Sequence, residues 1–157
     1  IIGQGKELGF MPCSFSSLDK VRVEAGLLFY GYDMTTEHTP WEVGLGWTIS
    51  RNKNDFRGEE AVYASEGKER FKMVGLEINQ AEALSGNEKL KKDNEEVGIV
   101  NSPVWSHRMK KSLALAHIRP DFIEPGTEIG ISSDSIDCSA TVRQTPFYDP
   151  QKTKTHQ

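Results

Sequence analysis

Ser112-Leu-Ala-Leu-Ala-His-Ile-Arg-Pro120 is a short, alternating, largely apolar run that ends at a proline, the pattern of a β-strand of ordinary length. Runs of the same kind lie on either side of it: Phe71 to Ile78, Glu96 to Val100, Glu128 to Ser132 and Ile136 to Val142, with Lys89 to Leu90 able to add a sixth. The residues between them carry turn chemistry. Asp93-Asn94 suits a tight hairpin, and Glu124-Pro-Gly-Thr127 suits a type II turn with Gly126 where positive φ is needed. Five or six short strands separated in this way predict a small all-β barrel or sandwich over residues 71–148.

Upstream the texture changes. Leu18, Val21, Ala25 and Leu28 recur at helical spacing, with Ser16 or Ser17 as cap and Asp19 in the first turn, which predicts a helix from Ser17 ending between Gly26 and Gly31. Thr39-Pro-Trp-Glu42 has capping-box spacing with proline at the first helical position, so a helical turn begins at Pro40. Gly44 and Gly46 stop it, and Trp47-Thr-Ile-Ser50 alternates as a strand does. A second helix is expected from Gly58 to Ser65, terminated at Gly67. Charge-rich Glu66-Gly-Lys-Glu-Arg70 marks a boundary, and the residues from 149 to 157 form a polar, loosely held tail. The fold class expected is an α+β fragment over residues 1–70 followed by a small antiparallel β-barrel. A chain that opens without methionine inside a glycine-containing segment reads as the surviving piece of a longer one.

At 157 residues there is room for one domain and part of a second. A formal net charge of −4 gives no attraction to polyanions, so nucleic acid and anionic membranes are not expected partners. The sequence holds neither a membrane-length apolar stretch nor a signal-peptide pattern, and a cytoplasmic setting is expected. Cys13 and Cys138 stand far apart outside any C-x-x-C and read as reduced and structural. His38, His107, His117 and His156 form no H-x-H or H-E-x-x-H pair, so no metal site is expected. With no G-x-S-x-G elbow or phosphate loop, and Gly44-Leu-Gly46 lacking a third glycine, no catalytic residue is assigned.

Two features remain. Arg22 and Glu24 lie on a helix whose apolar side faces a core, and an arginine leaving such a helix can clamp a carboxylate in a cleft. A surface ion pair or a helix-dipole contact fits the same local sequence. Tyr30, Trp41 and Trp47 can stack on a flat ligand or simply fill a core.

The runs Arg22-Val-Glu-Ala-Gly-Leu-Leu-Phe-Tyr-Gly-Tyr-Asp33, Thr39-Pro-Trp-Glu-Val-Gly-Leu-Gly-Trp47 and Asp55-Phe-Arg-Gly-Glu-Glu-Ala61 resemble the glycine cleavage aminomethyltransferases, or T-proteins. The resemblance continues through Val74-Gly-Leu-Glu77, Val97-Gly-Ile-Val-Asn-Ser102, Ser112 to Pro120 and Pro125-Gly-Thr-Glu128. It implies that residues 1–70 end a central folate-binding domain and that the rest is the family's C-terminal barrel. It further implies tetrahydrofolate as cofactor, a small one-carbon donor, and a lipoyl carrier protein as a partner. Arg22 matches the arginine of the family's R-L-E-A-G motif and is implied to face the folate; Tyr30 matches the aromatic that follows it. The family's catalytic aspartate and its Y-T-G-E segment have no counterpart here, which implies that this stretch alone is inactive. Pro146-Phe-Tyr-Asp-Pro150 also resembles the folate domains of dimethylglycine and sarcosine dehydrogenases, so a folate-dependent demethylase is the alternative. A non-catalytic binding module is the rival from another class. Asn54-Asp-Phe-Arg-Gly-Glu-Glu60 lacks the cysteine of the iron-sulfur assembly branch of this fold.

Overall fold

A computed structural model describes residues 1–53, 55–133 and 136–154; Asn54 and the end of the tail with His156, both named above, lie outside them. The elements run α1 (Ile2–Lys6), α2 (Phe15–Glu24), a 3-10 turn (Gly46–Thr48), α3 (Glu59–Ala64), then β1 (Lys72–Ile78), β2 (Lys89–Lys92), β3 (Glu95–Ser106), β4 (Lys111–Ile118), β5 (Glu128–Ser133) and β6 (Ile136–Arg143). No described helix is long and apolar enough to cross a membrane.

The six strands close into an antiparallel barrel in the order β1-β4-β3-β2-β5-β6, with β6 pairing back onto β1. Closure leaves the sheet without a free edge. Its interior is filled by Leu76, Ile78, Leu90, Val97, Val100, Ala114, Ala116, Ile118, Ile129, Ile131, Ala140 and Val142. Asp93 and Asn94 both take positive φ, as a two-residue hairpin between β2 and β3 requires. Gly126 sits at φ 94°, and Thr127 N donates to Glu124 O at 3.0 Å, closing the expected turn. At Gly98 a Cβ would lie 2.1 Å from the His117 carbonyl, so only glycine lets β3 and β4 approach so closely.

Strand β4 is buried from Ser112 to Ile118. Ala114, Ala116 and Ile118 belong to the barrel core, while Leu113 and Leu115 join Val104 and Val23 of α2 in a second apolar cluster, with Leu28, Met73, Met109 and Phe147 packed around it. The helix thus lies on the outside of the barrel over β3 and β4.

Several elements depart from the sequence reading. Helix α2 begins a few residues earlier than expected, because Ser14 is the cap and its Oγ accepts from Ser17 N at 3.2 Å. Trp47-Thr-Ile-Ser50 is not a strand: Gly46–Thr48 form a 3-10 turn and Trp47 stands exposed. Strand β3 runs well past Val100, through a bulge at Asn101 and on through Pro103, to Ser106. The tail is held at its start, where Asp149 accepts from Thr153 N and Lys154 N, each at 2.9 Å. Cys13 is exposed, whereas Cys138 packs partly against the barrel core. The capping box at Thr39 is formed in full: Thr39 N donates to Glu42 Oε2 at 2.9 Å and Glu42 N to Thr39 Oγ1 at 3.3 Å.

Candidate functional site

Arg22 occupies the last turn of α2 and is buried. Its Nε donates to Asp19 Oδ1 at 2.7 Å, one turn back on the helix. Nη1 pairs with Asp33 Oδ2 and donates to Leu27 O at 3.3 Å, and Nη2 donates to Ser102 Oγ at 2.7 Å. Asp33 is fully buried, and its Oδ2 also accepts from Phe29 N at 2.9 Å, so the 27–33 loop is folded around the guanidinium. Gly26 makes the turn into that loop at φ 68°, where a Cβ would press on Thr145 at 2.7 Å.

Glu24, two residues on, is also buried and works in the other direction. Its Oε1 accepts from Ser106 Oγ at 2.6 Å at the end of β3. The R-V-E-A-G stretch therefore clasps the loop with its arginine and the barrel with its glutamate. A buried charge is tolerated only when paired and hydrogen-bonded: Arg22 pairs with Asp33 and Glu24 with Arg108 at 3.8 Å, while Asp33 Oδ1 is left without a hydrogen-bond partner among the described residues.

A cleft of about 340 Å³ opens beside Arg22, between α2, the 27–33 loop and the barrel. Phe15, Phe29 and Tyr32 form one wall; Leu84, Asn101, Ser102 and Pro103 contribute the other. The rings of Phe15 and Phe29 meet edge to face at 5.8 Å, and those of Phe29 and Tyr32 lie 5.7 Å apart. Asn101, the bulged residue of β3, donates to Tyr32 O at 3.0 Å and accepts from His117 N at 2.9 Å, tying the aromatic wall to the barrel.

Tyr30 is exposed and is not among the residues lining this cleft. Trp41 is half-buried, its indole donating to Val62 O at 2.8 Å, so it anchors α3. The aromatics at the cleft are instead Phe15, Phe29 and Tyr32, and the acceptors around Arg22 are Asp19, Asp33 and Ser102. Phe29, Tyr32 and Asp33 sit in the same run as Arg22, which is the signal that marks them; nothing local marks Ser102, 80 residues away.

Behind the cleft lies a seam of stacked rings. Phe71 stacks on His117 at 4.3 Å, and His38 meets both. Burial, with the neighbouring His38 adding to it, pushes the His117 imidazole down to about 4. Glu42 is buried beside this seam, and the Arg70 guanidinium donating to it at 2.8 Å holds its carboxyl at about 2. Its backbone carbonyl accepts from Met73 N at 2.8 Å on β1.

The described fold and its sequence match two family models side by side: the GCVT N-terminal domain over residues 1–53 and the glycine cleavage T-protein C-terminal barrel domain over residues 72–149. The chain belongs to the glycine cleavage T-protein family. Over 98% of its length it is 37% identical to the gamma subunit of a heme-dependent oxidative N-demethylase from Ectopseudomonas mendocina, covering 43% of that protein. Over 97% it is 35% identical to an aminomethyltransferase from a Geobacillus species, covering 42% of it. The crystal structure of glycine cleavage system aminomethyltransferase T from Bartonella henselae matches with a TM-score of 0.79 at 25% identity, over 84% of this chain and 38% of that one. The chain thus spans less than half the length of these T-protein relatives.

Proposed function

We propose that this chain serves a tetrahydrofolate-dependent aminomethyltransferase, with residues 1–70 completing its folate domain and residues 71–148 forming the barrel that closes it. The observation that carries this reading is the cleft beside Arg22, at the motif that the T-protein family shares. A cavity of about 340 Å³ walled by three aromatic rings has the size and shape for a flat ring of a folate. Phe15, Phe29 and Tyr32 would hold that ring by stacking, and Arg22 would line it at the inner end. Tyr30, on the same loop but outside the cleft, would reach only a part of the ligand lying beyond its rim. Tetrahydrofolate, when bound, supplies the nitrogens that receive the one-carbon unit. This chain's own part is to fix the orientation of the ring and to keep water from it; no group here is assigned a proton transfer, and the chain on its own is expected to be inactive. A small one-carbon donor, carried on a lipoyl carrier protein in the aminomethyl version, completes the reaction.

The gamma subunit of the N-demethylase, similar over nearly the whole chain, favours a second reading in which the one-carbon unit comes from an N-methylated amine. In that reading the partners are companion subunits and the folate role is unchanged.

Calorimetric titration of the 157-residue chain with tetrahydrofolate tests the shared part. A dissociation constant of roughly 100 µM is expected for a half-built site. Tyr32→Ala, at an exposed position, should weaken it about tenfold by removing one stacking ring. No heat at millimolar ligand would sink both readings. Supplying aminomethylated lipoyl carrier or an N-methylated amine to a full-length relative that carries this segment in place of its own would then separate them.

A further inference from the structure

The electrostatics of the cleft point away from the carboxylate clamp that an arginine at this position suggests. All three guanidinium nitrogens of Arg22 already donate to the protein, to Asp19, Asp33, Leu27 and Ser102. Of the five N–H donors an arginine carries, at most one is left for a ligand, so a bidentate grip on an anion is unavailable. The charge is overspent as well. Arg22 and Asp19 are the charged residues lining the cleft, and Asp33 pairs with Arg22 from behind. One cation facing two carboxylates leaves the site with a formal charge of −1.

The two carboxylates are not equivalent. Asp33 is fully buried and is needed to fold the 27–33 loop, since it also takes the Phe29 amide. Asp19 has a side chain 38% accessible, binds only the Nε edge of Arg22, and sits one helical turn away on α2. Its charge is therefore the one that a ligand entering the cleft meets and the fold can do without. The walls, in contrast, are apolar or neutral: Phe15, Phe29, Tyr32, Leu84, Pro103 and Asn101.

We infer that Asp19 is a specificity-determining residue: it cancels Arg22 and tips the cleft to net negative charge, so that the cleft admits an uncharged flat ring and turns a carboxylate-bearing tail outward. This rests on the folate reading and deepens it, since a folate combines a neutral ring system with an anionic tail. Arg22 is a positioning residue here, holding the aromatic wall and the Ser102 edge of the barrel in register.

The test compares two ligands with one skeleton, folic acid and its dimethyl ester, on the full chain at low salt. The ester should bind at least as tightly as the acid. Asp19→Asn, which keeps a side-chain acceptor for Arg22 Nε, should tighten folic acid about threefold, the effect of removing one charge several ångströms away in a partly screened site. The ester should change by less than about 1.5-fold, because it has no charge for Asp19 to repel. Asp19→Glu, which restores the charge, should return the acid-to-ester ratio to that of the parent. Tighter binding of the acid than of the ester by the parent chain overturns the inference. So does an equal response of both ligands to Asp19→Asn, which would leave Asp19 a purely structural role. In both cases the folate reading survives; if neither ligand binds, the inference falls, and the tetrahydrofolate titration decides the folate reading on its own.

Discussion

The barrel and the segment before it are stabilised by different means. All the exposed large apolar side chains among the described residues fall between Ile1 and Trp47, including Phe10, Phe15, Leu18, Val21, Tyr32 and Trp47. The barrel exposes none of this kind, and twelve of its apolar side chains line one closed interior. Among the described residues, Val23 is the one fully buried apolar anchor of the first segment on the barrel. Beside it stand the packing of Leu28, the His38 ring on His117, and polar clasps: Arg22 to Ser102, Glu24 to Ser106, Tyr32 to Asn101 and Glu42 to Met73. Burial of apolar area scales with the surface removed from water, whereas a hydrogen bond contributes about 1 kcal/mol net. The barrel should therefore be the stable unit, and the segment a shell that takes its shape from contacts with it.

Leu76→Ala offers the sharpest way to break that contrast. Leu76 is fully buried at the barrel centre, and its truncation should cost about 3 kcal/mol by lost transfer energy and a residual cavity. Urea unfolding with an unchanged slope would read it; a cost below about 1 kcal/mol would mean the barrel is not where stability resides.

Acid should act next, and on the seam between the two regions. His117 is held at about 4 against an ordinary value of 6.5, so between those pH values the unfolded chain binds more protons than the folded one. Its share of stability is whole above pH 6.5 and is lost as pH falls toward 4. Glu42, held at about 2 against 4.5, contributes stability above pH 4.5 that is lost as pH falls toward 2. Each window is expected to be worth about 2 kcal/mol after allowance for solvent around Arg70 and the seam. Unfolding measured from pH 7 to pH 3 should show His117→Gln flattening the upper window and leaving the lower one in place. A slope untouched by that substitution would detach His117 from the seam's acid response.

The smallest effect on stability is expected on the exposed face. Leu18→Lys should change it by less than about 0.5 kcal/mol, since the side chain is largely in water already. The same substitution should lower binding of a hydrophobic dye and reduce self-association seen by light scattering at high concentration. A large loss of stability would show that Leu18 packs against something and that the segment is not an open shell.

What the sequence made legible follows the range of the forces involved. The strands, the Asp93-Asn94 hairpin, the turn at Gly126 and the capping box at Thr39 depend on neighbours a few residues apart, and all of them appear in the fold. Trp47-Thr-Ile-Ser50 misled because alternation over four residues is too short to outweigh the backbone turn that Leu45 and Gly46 impose. Arg22 could be singled out from its motif, but not its state: its partners lie 3, 11 and 80 residues away, and only the fold brings them to one guanidinium. Phe15 was unreadable for the same reason, since it reaches the cleft from the opposite end of α2. Pro103 hid the length of β3, because a proline ordinarily argues against a strand interior.

The extra residue in β3 ties two design problems together. Val100 faces Ala116 and Ser102 faces Leu115, so Asn101 is the one residue that the β3–β4 ladder skips. Deleting it would heal the ladder with Ser102 still opposite Leu115, yet it would remove the side chain that donates to Tyr32 O and accepts from His117 N. The aromatic wall of the cleft would then lose its tie to the barrel at Tyr32. Along this strand, insertions and deletions should therefore be constrained by the cleft rather than by the barrel: a chain one residue shorter here would still fold, with the aromatic wall of its cleft set loose.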